Sequence, residues 1–132
     1  MTEPTKEQKQ KFWEWCGFVY KDMGYTRKSG FNYHGKVFEH DIQVFHWVTE
    51  TVDFGEHLPP IDLNSLFKWA VPKLIKPADS QGGIEFQYYP GGLKCIVTVE
   101  SEPGFESYES FQPKEFDPAI VLFWAIWSVI ND

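Results

Sequence analysis

Residues 119–130, AIVLFWAIWSVI, are apolar at every position except Ser128. Asp117-Pro118 precedes them, an N-cap residue followed by proline at the first helical position, and so announces a helix. Twelve residues at the helical rise span roughly 18 Å, too short to cross a bilayer. A helix apolar on all sides must be covered on more than one side. The expected core stripe is Ala119, Leu122, Phe123, Ile126 and Ile130. Val121, Trp124 and Ser128 point the other way, toward residues 18–58 or a second subunit. The second option predicts a homodimer through those three residues.

Two further helices are legible. Thr5 followed by Gln8 forms a capping box, which predicts a helix from about Lys6 to Cys16 with Gly17 as its left-handed cap. Its first turns are polar, so residues 1–10 are expected to protrude or fray. Asp62 caps a second helix in which Leu63, Leu66, Phe67, Ala70, Val71, Leu74 and Ile75 keep the i, i+3, i+4 rule. Pro72 falls inside that period, which predicts a kink at Lys68–Pro72 with the proline facing solvent. Between helices two and three, residues 84–89 and 93–100 flank Pro90-Gly91-Gly92 and read as a hairpin. A Glu102-Pro103-Gly104 turn leads to a third, more polar strand at 105–111. Residues 18–58 read as mixed β structure, with turns at Met23-Gly24 and Ser29-Gly30 and a strand at 42–49; residues 53–60 and 77–83 read as loops. The pattern predicts one α+β domain over residues 1–132, an antiparallel β meander packed with about three helices.

Aromatic residues make up 18% of the chain, more than one small core easily hides. The net charge is −7. Residues 77–132 hold two Lys/Arg against nine Asp/Glu. Such a chain is repelled by phosphate backbones, so nucleic acid is not the expected partner. Cys16 and Cys95 form no CxxC or zinc spacing and are expected as buried thiols. No apolar stretch suggests a leader or membrane span, which points to the cytoplasm.

No pattern announces catalysis, a cofactor or a metal. His34, His40 and His46 are six residues apart, which suits no metal geometry on one element. Glu100, Glu102, Glu106 and Glu109 read as a solvated acidic rim. GxSxG, P-loop and GxGxxG patterns are absent. Trp69 lies off the apolar stripe of the second helix, with Lys73 and Lys76 one and two turns on. A ring flanked by cations can grip a small ligand such as a nucleotide, or anchor a protein. Tyr89 is a further candidate ring.

Three segments together resemble a known group: Phe12-Trp13-Glu14-Trp15-Cys16-Gly17-Phe18, Pro60-Ile61-Asp62-Leu63-Asn64 running into Leu66-Phe67-Lys68-Trp69-Ala70-Val71-Pro72-Lys73-Leu74, and Asp117-Pro118-Ala119 running into Leu122-Phe123-Trp124-Ala125-Ile126. The chain resembles short phage and prophage proteins, some described as phage α-β-α sandwich domains. The resemblance implies a sandwich-like fold and a phage context, and no catalytic residues. The expected function is a non-enzymatic interaction protein that binds a host protein in the host cytoplasm and modulates defence or regulation. Binding of a signalling nucleotide and a role in virion assembly are the alternatives.

Overall fold

The computed structural model describes residues 3–76, 82–101 and 104–132. It has an α+β architecture with three helices and two antiparallel sheets of two and three strands. The chain comprises two compact units: residues 1–16 with 60–132, and residues 17–59. The expected loop at 77–83 and the turn at Glu102-Pro103 lie largely outside the described residues.

In the first unit, α1 (Lys6–Trp15) starts at the capping box, with the Thr5 side chain accepting from the Gln8 amide and the Gln8 side chain from the Thr5 amide. Gly17 follows in the left-handed region at φ 104°. Phe12 and Trp13 are completely buried, whereas most of the polar first turns are exposed.

The second helix has three parts: α2 (Leu63–Ser65), a π-helical turn over Leu66–Ala70, and α3 (Val71–Leu74). Asp62 caps it by accepting from the Ser65 amide at 2.7 Å. The interruption expected at Pro72 is thus a π turn. The Val71 amide donates to Leu66, five residues back, and Pro72, which has no amide hydrogen to give, lies in the first turn of the next helical segment. Pro72 is exposed as expected. The extra residue in the turn rotates the apolar stripe: Leu66 and Ala70 are fully buried, but Phe67 is exposed.

The meander consists of β3 (Gly83–Tyr89), β4 (Gly92–Ser101) and β5 (Gly104–Pro113), in that spatial order. β4 alternates cleanly, with Leu93, Cys95, Val97 and Val99 buried on one face. Helix α4 (Pro118–Ile130) packs on β4 and β5, and α1 and the π turn contact α4 in turn. Phe12 meets Phe123 at 4.6 Å between ring centroids. Ala119 through Phe123, with Ala125 and Ile126, are all buried. The all-round apolar sequence of α4 follows from this position, with a sheet on one side and helices on another.

The second unit is built on a long hairpin of β1 (Val19–Tyr33) and β2 (Lys36–Val48). Its turn is His34-Gly35, with φ 51° and 77°, the paired left-handed residues that match strand twist. The two turns expected from glycine lie within β1 instead. Gly24, at φ 80°, sits in a bulge where Met23, Gly24 and Tyr25 oppose Val44 alone. Gly30 is a close-approach position, since a Cβ there would lie 2.7 Å from the Phe38 carbonyl oxygen. At the base, residues 53–55 fold back on β2. The Trp47 amide donates to Gly55 and the Phe54 amide to Trp47. Phe18, Val44 and Trp47 are buried here, with Phe18 against Phe54 at 4.9 Å and Tyr20 against Trp47 at 4.8 Å.

Candidate functional site: the ring-bearing face of the β1–β2 arm

Beyond the bulge the hairpin runs from Thr26 to Gln43 as a two-stranded ribbon. Eight residues per strand make an arm of about 27 Å. Every residue in it is exposed except Ser29 and Ile42, which are half-buried. The register assigns its two faces. Arg27↔Ile42, Ser29↔His40, Phe31↔Phe38 and Tyr33↔Lys36 share one; Thr26↔Gln43, Lys28↔Asp41, Gly30↔Glu39 and Asn32↔Val37 share the other. The first face bears three rings. Phe31 and Phe38 are stacked at 5.3 Å, and Tyr33 meets the His34 ring edge-on at 4.2 Å. Phe31 and Tyr33 are 59% and 61% exposed. Arg27, Lys36 and His40 are on the same face, and neither strand places a carboxylate there.

The opposite face is polar, and Lys28 pairs with Asp41 at 2.8 Å. Arg27 reaches Glu56 at 3.1 Å. Both pairs are exposed and therefore weak. At the base, Gln43 donates to Asp22, and His46 Nδ1 lies 3.0 Å from Asp53. The Asp53 carboxyl is held below its ordinary pKa, first by the His46 hydrogen bond and then by the Gly55 amide. His40 and His46 share a face of β2, as equal parity requires. Among the described residues no three His, Cys, Asp or Glu side chains converge to hold a metal ion.

The residues singled out in the sequence fall elsewhere, in the first unit. Trp69 is half-buried on the π turn, and the cation over its ring is Lys68, with Nζ 5.2 Å from the centroid. The expected flanking by Lys73 and Lys76 assumes a regular helix, which the π turn interrupts. Lys73 is exposed on α3 and acts on the Cys16 thiol, and Lys76 is exposed beyond the helix end. Tyr89 is exposed at the end of β3. Lys94 Nζ lies 6.0 Å from its ring, Phe111 meets it edge-on, and its hydroxyl donates to Gln87 at 2.8 Å. Trp69 and Tyr89 thus sit on separate elements, with Lys68 near the first ring and Lys94 near the second.

Of the residues expected at a dimer interface, Val121 is completely buried within the chain itself and presents nothing to a second copy. Trp124 is half-buried beside Phe123 and Trp127, and Ser128 is exposed with its hydroxyl donating to the Trp124 carbonyl. The sheet and helices of its own unit supply the second cover that α4 requires.

Glu106 and Asp132 both lie within hydrogen-bond reach of the Tyr108 hydroxyl, at 2.6 and 2.7 Å, and raise its pKa. Burial pushes the Cys16 and Cys95 thiols up to about 12. At neutral pH both are therefore neutral thiols, poor nucleophiles in a closed environment. Ellman's reagent at pH 8 should label neither in the native protein and both after denaturation; prompt labelling of the native protein would refute their burial.

The arm's rings were missed in the sequence because the glycines around them read as turns. A local signal was present: residues 26–38, TRKSGFNYHGKVF, hold three Lys/Arg, three rings and no Asp or Glu. No helix among the described residues is long and apolar enough to cross a membrane. No family model matches the chain, and no curated protein or solved structure matches it.

Proposed function

We propose that this protein is a non-catalytic interaction protein of phage type that engages a protein of the host cell through the ring-bearing face of the β1–β2 arm. The observation that carries this reading is the exposure of Phe31, Tyr33 and Phe38 on one face of the ribbon. An isolated two-stranded hairpin is marginal in water, and a row of uncovered rings adds a standing cost. A partner that covers the rings offsets both. Tyr and Arg are among the side chains most enriched at binding hot spots, and rings packed in a desolvated centre carry most of the affinity. Lys36 beside the rings favours an acidic rim on the partner, whereas Arg27 is already paired with Glu56. Binding of this kind in the host cytoplasm would blunt a defence or regulatory system by occupancy alone.

The two faces of the ribbon provide the test. Benzoylphenylalanine placed at Tyr33 should cross-link a discrete protein in host lysate on irradiation. The same group at Asn32, one residue earlier and on the opposite face, should not. Equal yields from both positions, or none from either, would sink the reading.

A further inference from the structure

Strand β3 is an edge of the three-stranded sheet, and it lacks the usual protection. The other edge, β5, carries Glu106 and Glu109 and ends in Pro113, devices that keep a sheet edge from pairing. β3 reads GIEFQYY, with no proline, no lysine and one charge. Its backbone groups can be assigned from the turn. Tyr89 and Gly92 pair across the two residues Pro90-Gly91, so they are a hydrogen-bonded pair. Alternation then directs the amides and carbonyls of Glu85 and Gln87 to β4, and those of Ile84, Phe86 and Tyr88 outward. The side chains of these same three residues lie on the α4 face of the sheet, opposite Val97, Cys95 and Leu93. Helix α4 packs on β4 and β5. Ile84 and Phe86 are half-buried and Tyr88 is 67% exposed.

We infer that β3 pairs with β3 of a second copy, antiparallel about a two-fold axis through Phe86, to make a continuous six-stranded sheet. In that register Ile84 of each copy meets Tyr88 of the other, and Phe86 meets its own equivalent. The outward amide and carbonyl groups of all three residues find partners. The incompletely covered apolar row of each copy joins the other into one floor. On the opposite face Glu85 of one copy lies against Gln87 of the other, an acceptor against an amide. Moving the axis to Glu85 would set the two Glu85 carboxylates against each other, so charge selects the axis at Phe86. The interface is isologous, as a closed dimer requires. It belongs to the first unit, whereas the arm belongs to the second, and it does not depend on the arm's role.

Sedimentation equilibrium at high micromolar concentration should give twice the 15.5 kDa chain mass. Gln87→Glu places a carboxylate opposite Glu85 on both sides of the axis. Within its own chain the new acid faces Lys94 across the ladder but loses the hydrogen bond that Gln87 donates to Glu85, so the stability of the monomer is measured alongside association. Association should weaken roughly tenfold or more at low salt and recover at high ionic strength. Tyr88→Pro removes one outward amide and no β4 hydrogen bond, and should give a folded monomer by circular dichroism and mass. A wild-type mass of one chain at every concentration would overturn the proposal. So would a dimer that neither substitution weakens.

Discussion

Phe123→Ala should lower the stability of the first unit by about 3–5 kcal/mol, the range for emptying a buried aromatic site. Phe123 is fully buried at the centre of the ring cluster. It meets Phe12 at 4.6 Å, Trp124 at 5.1 Å and Trp127 at 5.9 Å. Removing the ring leaves a space that none of these large neighbours can enter without leaving its own rotamer. The cost is a large share of the roughly 5–15 kcal/mol that a domain has in total. The denaturation midpoint in urea should fall accordingly, with Tm lower by roughly 15 °C or more. Phe123→Leu keeps most of the volume and should cost less than half as much. Equal losses for the two variants would mean that ring contacts, and not filled volume, hold α4 in place.

Gly92→Ala should be nearly as damaging although it adds one methyl group. A Cβ at Gly92 would lie 2.4 Å from the Gln112 carbonyl oxygen and 3.1 Å from both the Phe111 ring and the Pro113 backbone. Real Cβ contacts with backbone do not reach that distance, so β5 would have to move off β4 at the end where they begin to pair. Overpacking against backbone belongs at the upper end of the usual range, about 3 kcal/mol. Gly91 is the matched control: nothing lies within 4 Å of the Cβ position there. Gly91→Ala should change stability by no more than about 0.5 kcal/mol. Equal midpoints for the two variants by thermal denaturation would contradict the close approach at Gly92.

The parts of the fold that could be read from the sequence are those where one residue has one physical role. Thr5, Asp62 and Asp117 each cap a helix as their side chains suggest. The β3–β4 hairpin alternates because one face of β4 is buried and the other is not. The arm was not legible because neither face of its distal part is buried, so no force imposes a two-residue period. Its glycines then carried the signal alone, and glycine marks bulges and close approaches as well as turns. His34-Gly35 is a less obvious hairpin turn than Asn-Gly, although His tolerates the left-handed region. The exposure of Phe67 on the second helix has a different origin. Periodicity arguments assume 3.6 residues per turn, and one π turn breaks them locally while leaving the apolar composition unchanged. Val121, expected on a dimer face of α4, is instead covered within its own unit, because a sequence shows that a helix needs cover without showing which elements supply it.

The packing of α1 on α4 has a consequence for synthesis. Phe12 and its ring partner Phe123 are 111 positions apart in the chain. At ribosomal rates of about 5–20 residues per second, the first helix waits on the order of ten seconds for its mate. During that time Phe12 and Trp13 lack the α4 surface on which α1 packs. The polar run Lys6-Glu7-Gln8-Lys9-Gln10-Lys11 directly before them is then the local guard against aggregation. Helix α1, made well before α4, is thereby late to find its place, and its charged leading turns serve the unfinished chain more than the finished one.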